Sequence, residues 1–117
     1  GMGTGVGLTA DIADIVGLDR DTAYILIIPS GVDFSAAAGM INQAVENGKK
    51  ITGAILQRDD AVLISNRLNV KIPIVDEVAC IDKIPVGMKA AVEVAAPGNV
   101  VELLSNPYGI ATVFDLS

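Results

Sequence analysis

Two short apolar runs constrain the fold of this chain more than any other feature. Residues 24–28 read Tyr-Ile-Leu-Ile-Ile and stop at Pro29, and residues 51–56 read Ile-Thr-Gly-Ala-Ile-Leu. Runs of this length, rich in β-branched residues, are typical of strands that are buried on both faces. We therefore predict two strands of a covered, parallel sheet.

Helical segments lie between and after these strands. Asp33 is placed to cap a helix that runs through Val45, and Gly48 is placed to end it. A second helix is predicted over residues 59–68, with the apolar side chains of residues 62–64 facing inward. Ile72–Val75, shortened by Pro73, is a third strand. Strands that alternate with helices at these spacings indicate βαβ units in one α/β domain.

The two ends of the chain carry weaker patterns. The glycine-rich residues 1–7 predict an extended or flexible entry, followed by a short helix over residues 10–16 that Thr9 caps and Gly17 ends. Residues 89–95 alternate apolar and polar side chains, which favours an antiparallel strand with one wet face. Asn99 is placed to cap a helix through Leu104, and residues 109–116 are predicted as a final strand.

Composition excludes several classes of protein. With 51% hydrophobic and 19% charged residues, 117 residues suit one globular domain. The net charge of −6 and scattered basic residues argue against a nucleic-acid partner. A single cysteine, Cys80, fits a reducing compartment. Because there is no apolar run of about 20 residues and no signal-peptide pattern, we expect a cytoplasmic location with no membrane partner.

The chain lacks the residues that most catalytic sites need. It contains no histidine, which excludes Ser-His-Asp and Cys-His catalysis and imidazole metal sites. Cys80 lies among apolar residues and is interpreted as part of the core. No strand precedes the N-terminal glycines, so they do not form a dinucleotide fingerprint, and Gly48-Lys49-Lys50 lacks the pattern of a phosphate loop.

Two acidic pairs, Asp59-Asp60 and Asp76-Glu77, follow predicted strands directly. If those strands are parallel neighbours, Asp59 and Asp76 emerge at the same carboxyl edge of the sheet, where α/β proteins usually bind ligands. Two carboxylates that converge there repel each other unless a cation lies between them. Mg²⁺ is commonly held by one or two carboxylates and water.

Other interpretations of the same acids stay open. They could cap helices, lie in water, or pair with Arg58 or Arg67 at the surface. Two carboxylates could also serve acid–base catalysis, which leaves a stand-alone metal-dependent α/β enzyme using Asp59 and Asp76 as the alternative function. A third hypothesis is a purely structural spacer with solvated acids.

Several ordered stretches resemble the large (alpha) subunit of the diol and glycerol dehydratase reactivases. The similarity is nearly continuous from Ile51 to Ser117 and looser from Gly3 to Lys50. The stretches that carry it are ITGAILQRDD (51–60), VLISNRL (62–68), PIVDEV (73–78), IDKIPVGM (81–88) and LSNPYGIATVF (104–114).

This resemblance implies a fold and a place in a larger protein. The matching region of the family is a swivelling domain with three layers, β/β/α, in which a central, mostly parallel sheet is joined by a smaller antiparallel sheet. Residues 1–117 would then be a single swivelling domain, a fragment of a larger subunit whose actin-like ATPase core lies elsewhere. ATP or ADP would bind only in that core, so the domain itself is not expected to be an enzyme.

The resemblance also implies a function and partners. The family reactivates coenzyme B12-dependent diol or glycerol dehydratase by an ATP-driven, chaperone-like release of damaged cobalamin. Its swivelling domain contacts the small (beta) reactivase subunit, with Mg²⁺ or Ca²⁺ at the contact. Asp59 and Asp76 match the family's metal ligands on this chain. The family's further ligands, an upstream threonine and a glutamate of the small subunit, are absent here, so the isolated domain is expected to hold the ion weakly or not at all.

Overall fold

The computed structural model describes residues 3–94, 99–105 and 110–115, the last two ranges by their backbone alone. Seven strands form in these ranges: β1 Gly3–Asp11, β2 Ala23–Ile28, β3 Lys50–Leu56, β4 Ile74–Val75, β5 Lys89–Val94, β6 Asn99–Ser105 and β7 Ile110–Asp115. The helices are α1 Phe34–Glu46 and α2 Ala61–Ser65, with 3-10 helices at Ile12–Gly17 and Ile81–Lys83.

The strands form one mixed sheet in the order β4-β3-β2-β1-β5-β6-β7. The pairs β1–β2, β2–β3 and β3–β4 are parallel, whereas β5, β6 and β7 continue the sheet in antiparallel pairs. The parallel strands at residues 24–28 and 51–56, and the antiparallel strand at 89–95, are therefore confirmed within one or two residues. The α/β class is confirmed as well.

Two apolar clusters divide the domain into three layers. One cluster fills the space between the helices and one face of the parallel strands, and includes Ile41 of α1 and Leu26 of β2. The other lies on the opposite face and joins Ile55 of β3 to Val92 of β5. A Cβ placed on Gly53 of β3 would be only 2.6 Å from Cγ2 of Val92. Strand β5 therefore lies over this face of the parallel strands. The sheet thus folds over itself, which gives the β/β/α arrangement.

The glycine-rich start of the chain is the central strand β1. Its N-terminal part pairs with β5, and residues 8–11 pair with β2. A Cβ on Gly5 would lie 1.9 Å from the Thr52 carbonyl oxygen, and one on Gly7 would lie 2.7 Å from the Ala23 carbonyl oxygen. These two positions require glycine because β1 passes close over the starts of β2 and β3.

Helix α1 follows the sequence prediction closely. Asp33 accepts hydrogen bonds from the backbone N–H groups of Ser35 and Ala36 at 3.0 and 3.1 Å, as an N-cap does. At the other end, Gly48 has a φ of +90°, which glycine adopts without strain.

The predicted helix over residues 10–16 is wrong at its start. Thr9 does not cap it but lies buried inside β1, which runs on to Asp11 because it pairs with β2. Asp11 caps the short 3-10 helix instead, through a 2.8 Å hydrogen bond from the Ala13 N–H to its carboxylate. Thr9 Oγ1 donates to the Pro85 carbonyl and accepts from the Met88 N–H.

The helix predicted over residues 59–68 is much shorter, and only Ile64 of its apolar group is buried. Val62 and Leu63 are 71% and 39% exposed. Three consecutive residues of a helix point in directions about 100° apart, so they cannot all face one core. Just after the end of the helix, the N–H groups of Arg67 and Leu68 both donate hydrogen bonds to the Ile64 carbonyl.

The helix that Asn99 was predicted to cap is also wrong, because residues 99–105 form strand β6. Its backbone pairs with β5 on one side and with β7 on the other. Two neighbouring strands satisfy the backbone groups that a helix would otherwise satisfy internally. None of the helices in the described ranges is both long and apolar enough to cross a lipid bilayer.

Candidate functional site

The two predicted metal ligands lie at the same edge of the sheet. Strands β3 and β4 are parallel neighbours, with Ala54 opposite Ile74 and Ile55 opposite Val75. Asp76 follows β4 directly, and Asp59 lies three residues after the end of β3. The carboxyl ends of parallel neighbours meet at one edge, so this part of the sequence prediction is confirmed.

Backbone hydrogen bonds hold the two segments together beyond the strands. The Val78 N–H donates to the Leu56 carbonyl at 3.0 Å, and the Glu77 N–H donates to the Arg58 carbonyl at 3.4 Å. Glu77 has a φ of +60°, a left-handed conformation that is uncommon outside glycine. This turn directs the chain after Asp76 back along the segment that carries Asp59.

Asp76 caps helix α2 from a neighbouring strand. Its Oδ2 accepts a 3.0 Å hydrogen bond from the backbone N–H of Ala61, the first residue of α2. Asp60, which precedes the helix, makes no capping hydrogen bond with its side chain. The interpretation that these acids cap helices is therefore confirmed for Asp76. The sequence did not indicate which helix Asp76 caps, because local patterns identify only caps that the residue just before a helix supplies.

The electrostatics of the site centre on Asp76. Partial burial raises the pKa of its carboxyl above the usual 3.8, although the hydrogen bond from Ala61 opposes this. The neighbouring Asp59 raises the pKa of Asp76 further, by charge repulsion and because Asp76 can donate a hydrogen bond to the Asp59 carboxylate only when it is protonated. A cation between the two carboxyl groups would relieve this repulsion.

The two arginines that offered another explanation have their own partners. Nε of Arg58 lies 3.5 Å from Oδ2 of Asp60. The Arg67 guanidinium lies over the Phe34 ring at 4.7 Å from its centroid, and its Nη1 donates to the Leu63 carbonyl. Arg58 and Arg67 therefore have contacts with groups other than Asp59 and Asp76.

The site has the donors of a partial cation site. Asp59 and Asp76 supply hard carboxylate oxygens, and one oxygen of Asp76 is already engaged by Ala61. Among the residues that the structure describes, no group of three or more acidic, histidine or cysteine side chains forms a complete cage. Mg²⁺ needs only one or two carboxylates when water or a partner completes its shell, so the pair fits this ion or Ca²⁺.

The carboxylate pair does not line any of three clefts found in the described region. One cleft of about 490 Å³ is lined by Leu18, Arg20, Met40 and Lys49, among others, and neither it nor two further clefts is lined by Asp59 or Asp76. Cys80 is partly buried and packs against the cluster between the two sheet layers, so its interpretation as a core residue is confirmed only in part.

Comparison with known proteins shows the family of the chain. The family model described as "DD-reactivating factor swiveling domain" matches residues 1–117. The chain belongs to this family. The swivelling domain is 57% identical over 117 residues to the propanediol dehydratase-reactivating factor large subunit of Citrobacter freundii, covering 100% of the chain and 19% of that relative. It is 56% identical to the diol dehydratase-reactivating factor large subunit of Klebsiella michiganensis, with the same coverage.

Two solved structures resemble the swivelling domain. A glycerol dehydratase reactivase has a TM-score of 0.79 at 45% identity, over 93% of this chain and 18% of the other. A diol dehydratase-reactivating factor in nucleotide-free form has a TM-score of 0.79 at 54% identity, over 94% of this chain and 18% of the other. The predicted family and fold are thereby confirmed. The chain spans about a fifth of the length of the curated relatives it matches.

Proposed function

We propose that this domain is a non-catalytic docking module of a dehydratase-reactivating factor. In this proposal it binds the small subunit of the reactivase through a contact that a divalent cation at Asp59 and Asp76 assists. The client is a coenzyme B12-dependent diol or glycerol dehydratase. The remainder of the large subunit uses ATP to drive release of damaged cobalamin, and the docking module relays that motion to the small subunit.

The observation that supports the proposal is the pair of carboxylates at the carboxyl edge of the sheet. Partial burial and the neighbouring Asp59 raise the pKa of Asp76, and the two arginines near these acids are engaged elsewhere. A pair of this kind is suited to a cation whose shell a second chain completes. The relatives are described as large subunits, which implies a smaller companion.

Charge at such a contact would act mainly on specificity. Paired charges between chains fix register and reject wrong partners more than they raise affinity. A cation shared between the two chains acts in the same way, because it is bound fully only when both surfaces are in place.

The proposal is tested by calorimetric titration of this chain with the purified small subunit of the reactivase, first with Mg²⁺ and then with EDTA. We expect binding in Mg²⁺ that weakens at least tenfold in EDTA. The double variant Asp59→Asn/Asp76→Asn should bind weakly in both buffers. The double variant Asp14→Asn/Asp21→Asn is the matched control, since it removes the same charge from exposed positions on the 3-10 helix and the following turn.

Four outcomes would contradict the proposal. Absence of binding by the unsubstituted chain in Mg²⁺ would exclude docking by this module. Equal binding by both double variants would exclude a role for the carboxylate pair. If Mg²⁺ raises the melting temperature neither of the chain nor of its complex with the small subunit, the spacer hypothesis is favoured, because an ion that binds only the folded state must stabilise it. Metal-dependent turnover by the isolated chain would favour the enzyme alternative instead.

A further inference from the structure

We propose that helix α2 and the residues that flank it open and close as one local unit, which Asp76 holds at one end and Asn42 of α1 holds at the other. The unit comprises residues 60–69 and is named the α2 segment. Both side chains then act on a single equilibrium. The unit involves this chain alone and needs no cation, so it goes beyond the proposed function.

The α2 segment has little stability of its own. Its helix has five residues, and propagation over so short a helix does not offset the cost of nucleation. The side chain of Asp60, just before the helix, makes no capping hydrogen bond. Ile64 is the buried residue of the helix, whereas Val62 and Leu63 are exposed. Few buried contacts and few backbone hydrogen bonds are typical of a region that opens before the rest of its domain.

Asn42 holds the C-terminal end of the segment against α1. Its Nδ2 donates to the Arg67 carbonyl at 2.8 Å, and its Oδ1 accepts from the Asn69 N–H at 2.8 Å. One amide group thus satisfies both a backbone acceptor and a backbone donor, which fixes the position and the orientation of the turn after α2. The Arg67 guanidinium adds a second contact with α1, since it lies 4.7 Å from the centroid of the Phe34 ring.

Asp76 holds the N-terminal end of the segment from the end of β4. Its Oδ2 accepts a hydrogen bond from the Ala61 N–H at 3.0 Å. Backbone hydrogen bonds connect this end to the other: the Ile64 N–H donates to the Asp60 carbonyl, and the Leu68 N–H donates to the Ile64 carbonyl. A helix of little more than one turn cannot lose one end and persist at the other. Loss of either hold should therefore open the whole segment.

A shared equilibrium couples the two places that bias it. If a ligand fixes Asp76 in its present position, the segment opens less often, and its contact with Asn42 is strengthened. By reciprocity, a contact that fixes the segment on α1 favours the present position of Asp76 by the same free energy. The α2 segment is thus the two-state element that connects α1 with the carboxylate edge of the sheet.

Native-state hydrogen exchange in EDTA tests the proposal at both ends of the segment, through the amides of Ile64 and Leu68. Asn42→Ala removes one hold, and Asp76→Ala removes the other. We expect each variant to speed the exchange of both amides by about fivefold or more, because a lost hydrogen bond changes an equilibrium constant by that order. The Asn47 amide, which donates to the Gln43 carbonyl in α1, should exchange within about twofold of its original rate, since α1 stays folded.

Two further variants serve as controls. Gln43→Ala removes an exposed amide side chain from the next position of α1 and leaves Asn42 in place, so it should leave the exchange of the segment within about twofold. Asp76→Asn keeps an oxygen that accepts from Ala61, and it should therefore speed exchange less than Asp76→Ala does.

Three results would overturn the proposal. Faster exchange of Leu68 alone in Asn42→Ala, or of Ile64 alone in Asp76→Ala, would show that the two ends fray independently. An equal increase at Asn47 would show global unfolding in place of local opening. An equal effect of Gln43→Ala would show that the contact made by Asn42 is not specific. None of these results bears on the proposed function, which the titration with the small subunit tests separately.

Discussion

Oδ2 of Asp76 lies 3.0 Å from the backbone nitrogen of Ala61 and accepts its hydrogen bond, across 15 positions of the chain. This contact ties the end of β4 to the start of α2. A helix of five residues has little stability of its own, because helix nucleation is costly and propagation over one turn does not offset it. Asp76 therefore contributes to the local fold whether or not a cation is bound.

Replacing Asp76 should separate its capping role from its charge. Asp76→Asn keeps an oxygen that accepts from Ala61, whereas Asp76→Ala does not. We expect the alanine variant to be less stable than the asparagine variant by about 1 kcal/mol, the usual cost of a lost cap. Urea unfolding in EDTA measures the difference. A matched pair at Asp60, whose side chain makes no capping hydrogen bond, should differ less.

The charge of Asp76 should make stability depend on pH. Because burial and Asp59 raise the pKa of Asp76 in the folded state, the folded chain holds this proton more tightly than the unfolded chain. The stability that this proton contributes is fully present below about 3.8, the pKa of Asp76 in the unfolded chain. It is lost as the pH rises through the pKa of Asp76 in the folded chain. In EDTA, the stability of Asp76→Asn relative to the unsubstituted chain should therefore increase with pH. A decrease would contradict the assignment.

Divalent cations should slow amide exchange in α2. The relevant N–H groups are those of Ile64 and Asn66, which donate to the carbonyls of Asp60 and Val62. If a cation at Asp59 and Asp76 holds the start of α2 in place, Mg²⁺ reduces local opening there and leaves the Asn47 amide of α1 unchanged. Hydrogen exchange with and without Mg²⁺ measures this, and equal slowing throughout the chain would indicate global stabilisation only.

Glycine is required where β1 crosses the parallel strands. Gly5→Ala should destabilise the chain by roughly 1–3 kcal/mol, since the new Cβ would collide with backbone atoms that cannot move aside cheaply. Gly39→Ala is the control: apart from its chain neighbours and the backbone of its own helix, no atom lies within 4 Å of the added Cβ, and alanine in a helix interior should stabilise by about 0.5–1 kcal/mol. Thermal unfolding should show a lower melting temperature for Gly5→Ala and a higher one for Gly39→Ala than for the unsubstituted chain.

Thr9 should stabilise the loop that joins the 3-10 helix at Ile81–Lys83 to β5. Its Oγ1 donates to the Pro85 carbonyl at 2.6 Å and accepts from the Met88 N–H at 3.0 Å, and the residue is 1% exposed. Thr9→Val should cost about 1–3 kcal/mol, because buried polar groups lose their partner. Thr22→Val, which loses one surface hydrogen bond to Asp19, should cost much less in the same unfolding experiment.

Local sequence patterns correctly predicted the strands and the helix whose apolar runs or capping residues lie within the element or next to it. The apolar runs of β2 and β3, the capping carboxylate of Asp33 and the glycine at 48 act over a few positions, and the structure has each of them where the sequence predicts it. The shared edge of Asp59 and Asp76 was also predictable, because it follows from two parallel neighbours. The assignment of these acids to a cation stays a prediction.

The tertiary structure decided the features that depend on distant parts of the chain. Residues 3–11 and 99–105 became strands because neighbouring strands satisfy their backbone groups, which overrides weak local preferences for coil or helix. The cap of α2 comes from Asp76 rather than from the residue before the helix. The sequence by itself thus determined the α/β class, the parallel core and the edge that carries the acids. Only long-range packing decided that β1 is central, that α2 is short, and that Val62 and Leu63 face outward.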